Sequence, residues 1–139
     1  PVAWSPTSAM GAGYGAIALK PVAKTLSVSL RMASEAHARG VSCFCADLTV
    51  NPILVDWGKV VAARLQLLPG ISIGLLETNG AQNYHDWPRL ESYHPLADAS
   101  WTKPRDGVFA LDDAFFSRSG GIFESSAHYA KAVPKVLKS

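Results

Sequence analysis

An α/β fold built on parallel strands is what this chain predicts, and two observations carry the prediction. Three short apolar runs each close on one charged side chain: residues 16–19 before Lys20, residues 41–46 before Asp47, and residues 71–76 before Glu77. The charges fall 27 and 30 residues apart, about the length of a strand plus its crossover helix in a βαβ unit. Parallel strands at that spacing bring Lys20, Asp47 and Glu77 to the carboxyl edge of one sheet, where open α/β sheets and (β/α)8 barrels hold their ligands.

Taken in order, residues 1–15 hold three glycines, two prolines and no charge, and read as loop. The chain opens on Pro1 rather than Met, as if entered in mid-course. Gly11, Gly13 and Gly15 alternate, but a phosphate-cradling fingerprint needs a strand before it and a helix after it, and here a strand follows. Residues 16–20 form the first strand, apolar on both faces. Pro21 ends its ladder by withholding an N–H and holds Lys20 extended. In residues 25–38, Leu26, Val28, Leu30 and Met32 alternate like a strand, whereas Leu26, Leu30, Ala33 and His37 share one helical face. The flanking strands need a crossover, so a helix is expected, closed by Gly40.

Residues 41–46 are the second strand. Asn51 then caps a helix with Pro52 at its first position. Leu54, Trp57, Val61 and Leu65 line its apolar stripe, while Asp56, Lys59 and Arg64 are expected to face out. Leu68-Pro69-Gly70 leads into the third strand, 71–77. Beyond Gly80 the periodicity breaks. Residues 82–95 read as a long loop, 108–111 as a short strand, 112–116 and 126–133 as short helices, and 119–121 as a turn.

A chain of 139 residues with 48% hydrophobic content predicts one domain with a real core. Charged residues are only 17%, a shortfall that points to apolar surface meeting another chain or domain. The net charge is +2 and the basic residues are scattered, densest at Lys131, Lys135 and Lys138. Few aromatics interleave with them, so nucleic acid is not expected as a partner. Cys43 and Cys45 point to one face of a strand and read as reduced, buried hydrophobes, in keeping with a cytoplasmic location. No apolar run approaches the length of a membrane span, so no membrane association is expected.

Lys20 is the sharpest candidate for chemistry: burial at a strand end lowers an ammonium's pKa toward the range of a usable acid or base. A structural ion pair with Asp47 or Glu77 is the competing reading. Those two carboxylates and Asn79 line the same edge. His85 and His94 fall in the long loop, with open roles; His37 and His128 read as helix-surface residues. Ser5, Ser8, Ser119 and Ser126 lack a nucleophile elbow, which argues against hydrolase chemistry.

The stretch Ala-Ile-Ala-Leu-Lys20-Pro-Val-Ala-Lys24-Thr, the helix Ser-Leu-Arg-Met-Ala-Ser-Glu-Ala and the following Gly40-Val-Ser-Cys resemble the sixth strand and helix of enolase-superfamily barrels. The likeness is to the muconate-lactonizing and dipeptide-epimerase branch of the mandelate racemase/muconate lactonizing enzyme group. One departure stands out: the Gly-Gly that follows the second lysine in that branch is Leu26-Ser27 here. The resemblance implies the C-terminal portion of a (β/α)8 TIM-type barrel, with about three strand–helix units over 16–80 and a loop-rich tail over 81–139 in a single partial domain. It implies Lys20 as the catalytic acid/base and Glu77, Asn79 and Asp47 as substrate contacts. The reaction would remove the proton next to a carboxylate, with Mg2+ held by ligands outside this chain. The expected partners are a small carboxylate substrate and the remainder of the barrel or another copy of the chain, and the chain alone is expected to be inactive. The alternative is a non-catalytic α/β binding or assembly module that pairs through an open sheet edge.

Overall fold

The computed structural model describes residue 11 and residues 13–133. Most of the loop expected over residues 1–15, and the basic residues Lys135 and Lys138, lie outside them. The described part is a small α/β domain. Strand β1, Ala16–Leu19, is followed by helix α1, Leu26–His37, and strand β2, Ser42–Cys45, by helix α2, Pro52–Ala62. β1 and β2 pair in parallel with Ile17 opposite Cys43 and Leu19 opposite Cys45.

The local causes are those the sequence predicts for α2. The Asn51 side chain accepts the Leu54 amide at 3.1 Å, and Pro52 occupies the first turn, where its missing N–H costs nothing. α1 lacks such a cap. Its N-cap residue, Thr25, has φ 69° and ψ 151° and no side-chain capping bond, a conformation ordinarily left to glycine. At its other end the Val41 amide reaches back to the Ala36 carbonyl at 2.9 Å, with Gly40 at φ 71°.

A third segment joins the sheet beside β2. Cys45 donates to Leu75 O at 3.1 Å, and Glu77 donates to Cys45 O at 2.8 Å. The expected strand over 71–77 narrows to one parallel bridge, Cys45 with Leu76. The reason is a close approach just before it. A Cβ on Gly74 would stand 2.4 Å from the Ala62 carbonyl oxygen, so the backbone is pressed against the end of α2 rather than laid along β2.

The core explains how the crossovers lie. Ile17, Leu19 and Cys43 pack with Ala33 and Ala36 of α1; Cys45 packs with Val61 and Ala62 of α2, with Leu76 against them. Ile17, Leu19, Cys43 and Cys45 share one face of the sheet, so both helices cover that face and the segments follow in chain order. The opposite face carries Ala16, Ala18 and Phe44, of which Ala18 is exposed and the others are half-buried.

The tail is more regular than its sequence suggests. Where a loop is expected over 82–95, the chain forms α3, Gly80–Asn83, which runs into that stretch, and α4, Trp87–Ser92, within it. The expected strand over 108–111 reduces to an antiparallel bridge between Arg105 and Val108. Then come α5, Asp113–Arg118, the 3-10 turn Ser119–Gly121 and α6, Ala127–Ala132. Asp112 caps α5 by accepting the Phe115 amide at 2.8 Å. Phe115 is fully buried against Trp101, whose indole N–H donates to Gly120 O at 3.2 Å. Among the described residues no helix is long and apolar enough to cross a membrane.

Candidate functional site

Register decides which of the strand-end residues meet. Leu19 is opposite Cys45, and Cys45 is bridged to Leu76, so Lys20, Ala46 and Glu77 stand level, one step beyond. Leu19, Cys45 and Leu76 belong to the helix-covered face. By strand alternation Lys20 and Glu77 belong to the other. Lys20 is half-buried and Glu77 exposed, and among the described residues neither side chain has a hydrogen bond or ion pair. The structural ion pair weighed for Lys20 is therefore not formed there.

Asp47 sits differently. Its Oδ2 accepts the Val22 amide at 2.8 Å and its Oδ1 the Ala23 amide at 3.1 Å. The Lys24 amide donates to Lys20 O at 2.8 Å, closing a turn around the buried Pro21. The Asp47 carboxylate thus nails down the turn that follows Lys20 and fixes where the lysine backbone leaves the sheet. Asn79 works similarly between loops. Its Oδ1 accepts the Thr49 hydroxyl at 3.0 Å, and its amide donates to Leu48 O at 2.9 Å.

The structure also assembles a buried charged cluster that the sequence concealed. Asp56 and Lys59, expected to face solvent, are only 1% and 3% exposed. Lys59 Nζ lies 2.7 Å from Asp56 Oδ1, donates to Trp101 O at 2.7 Å, and sits 3.8 Å from the centre of the Phe109 ring. His94 Nε2 is 2.6 Å from Asp56 Oδ2, although its N–H is out of line for a good hydrogen bond. His94 Nδ1 accepts the Leu96 amide at 2.9 Å, which leaves Nε2 as the protonated nitrogen, on the Asp56 side of the ring. Burial pulls the Lys59 pKa down from its ordinary value, while Asp56 and Glu91 pull it back up. The cluster fastens the tail to α2: the tail's weight over this side of the helix is what buries residues that periodicity assigns to water. The sequence signal that could have found it is the i,i+3 acid–base pair Asp56–Lys59.

The remaining candidates separate cleanly. Cys43 and Cys45 are free and buried. Burial pushes both thiols up, Cys45 to about 12, with Asp47 and Cys43 adding to the burial effect at Cys45. Neither is a ready nucleophile. His85 is exposed, and His128 is exposed and stacked on Tyr93 with ring centres 3.5 Å apart. His37, expected on the helix surface, is half-buried, with its Nε2 shielded from water. The Ser126 hydroxyl is engaged at the start of α6, donating to Tyr93 O at 2.6 Å. Among the described residues no group of three or more His, Cys, Asp or Glu side chains is placed to hold a metal ion.

Comparisons with protein-family models, with curated proteins and with solved structures found no match. The functional reading rests on the sheet edge itself.

Proposed function

We propose that the edge bearing Lys20 and Glu77 is part of the active-site mouth of an enolase-superfamily enzyme, and that the chain is the C-terminal portion of its (β/α)8 barrel. One observation carries the reading. Three parallel segments follow in chain order with both crossovers on one face, so Lys20 and Glu77 stand level at the carboxyl edge and belong to the face away from the helices. In a barrel wound this way, that face is the interior.

The chain's own part of the chemistry is proton transfer. Lys20, as the free amine, takes the proton from the carbon next to a substrate carboxylate and becomes an ammonium that can return it. Racemisation or epimerisation, cycloisomerisation and dehydration all share that step. Asp47 contributes by holding the turn after Lys20, and Glu77 and Asn79 flank the substrate's position. Magnesium would stabilise the resulting enediolate in the complete enzyme; the described residues do not form a ligand set for it. We place the protein in the cytoplasm, a reading supported by its two free, buried cysteines.

The test is solvent-deuterium exchange at the carbon beside the carboxylate, followed by NMR over a panel of small carboxylates. The parent is this chain within its full coding sequence, where a Lys-x-Lys and three spaced carboxylates are expected upstream. Lys20→Gln should slow exchange about 100- to 10,000-fold. Exchange at the parent rate in that variant, or an upstream sequence without those residues, sinks the proposal. The 139-residue chain alone should turn over nothing.

A second reading, a non-catalytic module that pairs through an open sheet edge, is favoured by β1, which has a strand neighbour on only one side among the described residues. Sedimentation separates the two. A stable self-associated chain with no exchange activity in any longer context supports the module.

A further inference from the structure

His94 is a buried histidine that the chemistry of the sheet edge leaves unused. In His94-Pro95-Leu96 the proline fixes the backbone between the other two, and the imidazole closes the turn as an Asx side chain would: Nδ1 accepts the amide two residues on, at 2.9 Å. Nε2 is 2.6 Å from Asp56 Oδ2, and the ring is 2% exposed. The 3-10 turn closes over it. A Cβ on Gly121 would stand 3.4 Å from His94 Cε1 and 2.9 Å from Leu96 Cδ1, and one on Gly120 would stand 3.0 Å from Asp56 Cβ. The Gly120 carbonyl accepts the Trp101 indole N–H, and the Trp101 carbonyl accepts Lys59 Nζ. Ring, Leu96, glycine turn, Trp101 and Lys59 form one run of contacts, and that run docks the tail on α2.

With Nδ1 accepting and Nε2 protonated, the docked ring has no nitrogen left for a second proton. Charge pulls the other way. Two carboxylates, Asp56 of α2 and Glu91 of α4, face the cluster against one ammonium, Lys59 of α2, and the turn Ser119–Gly121 brings no charge. From α6 the exposed His128 reaches only the neighbouring ring, Tyr93. A second proton on Nδ1 would set N–H against the Leu96 N–H. The ring therefore takes it only by giving up that amide, and Leu96 is packed on the glycine turn that the rest of the clamp rests on. We infer that His94 is an acid-operated catch: the tail stays docked on α2 while the ring holds one proton and comes away when it takes a second. No residue of the catch belongs to the sheet edge, so it stands or falls apart from that reading.

The test is hydrogen exchange of the chain, read by mass spectrometry at pH 7.5 and 5.5 and corrected for intrinsic rates. The open form binds the extra proton, so docking is lost as pH falls. With its histidine titrating near the ordinary value of about 6.5, the open form should be about tenfold more populated at the lower pH, over residues 94–121 and not over 16–45. His94→Asn keeps an acceptor for the Leu96 amide but cannot titrate, and should abolish the pH effect. His128→Gln, which removes the ring stacked on Tyr93, should leave it intact. NMR of the ring nitrogens of the parent needs no variant: the docked form should keep Nδ1 unprotonated at pH 5.5. Protection over 94–121 that is unchanged or rises at pH 5.5 overturns the catch, as does an equal loss over 16–45. So does a pH effect that survives His94→Asn or vanishes in His128→Gln, and so does a docked ring protonated on both nitrogens.

Discussion

Removing the Asp56 carboxylate should be among the most damaging single changes open to this chain. Asp56 and Lys59 are 1% and 3% exposed, and His94 closes on the other oxygen of Asp56. Asp56→Ala leaves a buried ammonium with the Trp101 carbonyl, the Phe109 ring and the more distant charge of Glu91, and breaking a buried pair from one side costs about 3–5 kcal/mol. Against a total stability of about 5–15 kcal/mol, that is a third or more of the margin for most domains. For a chain of this size the melting point should fall by roughly 10 °C or more. Lys59→Met removes the ammonium but leaves Asp56 facing His94, so its effect should be smaller. Replacing both together, Asp56→Leu with Lys59→Met, removes the pair without stranding either charge. The double variant should lie well above the sum of the single losses, with a coupling of about 1–3 kcal/mol. Urea unfolding followed by tryptophan fluorescence measures all three, and hydrogen exchange over residues 94–121 reports whether the tail detaches first. Additive single effects, or an Asp56→Ala loss under about 0.5 kcal/mol, would refute the clamp.

Four other outcomes follow from the geometry. Asp47→Ala should destabilise by about 1–3 kcal/mol and speed exchange of the Val22 and Ala23 amides, with Asp47→Asn milder because one oxygen remains; unchanged exchange would show that the turn holds itself. Native Cys43 and Cys45 should resist iodoacetamide at neutral pH. Because Cys45 is raised from 9.0 to about 12 in the fold, its contribution to stability is present below pH 9 and is lost as pH climbs toward 12. Lys59, lowered from 10.5, works with the opposite sign: stability gains as pH rises toward that value. Cys45→Ala should therefore flatten the alkaline loss and Lys59→Met steepen it; parallel pH curves for the parent and both variants would count against the assignments. Thr25→Gly should stabilise by about 1 kcal/mol, the relief of a conformation with φ 69° less glycine's extra entropy. Thermal melts decide it, and a destabilised variant would mean that the threonine side chain itself supports the turn.

The parts of the fold that local chemistry dictates were legible. Asn51-Pro52 announced α2, Pro21 ended β1, and the spacing of Lys20, Asp47 and Glu77 placed three parallel ends side by side. What escaped depended on contacts made from far along the chain. Asp56 and Lys59 look solvated because a helix's periodicity knows nothing of a tail some forty residues later that will cover them. The third strand shrank because Gly74 is pressed against Ala62, a constraint between segments. Asp47 looked like the peer of Lys20 and Glu77, yet both its oxygens take backbone amides, and no pattern in the sequence distinguishes a ligand-facing carboxylate from one that ties down a turn. The short helices at 80–83 and 87–92 carry too few turns to show a period.

The level register of Lys20, Ala46 and Glu77 also works as a ruler. Adjacent strands run about 4.7–4.9 Å apart, so the backbones bearing Lys20 and Glu77 stand about 9–10 Å from one another. Between them the middle segment contributes only the methyl of Ala46. A cationic side chain on one strand end and a carboxylate on the other thus stand one strand apart, with the buried Ala46 between them. A group held by both Lys20 and Glu77 has to lie crosswise to the strands and span about two strand spacings.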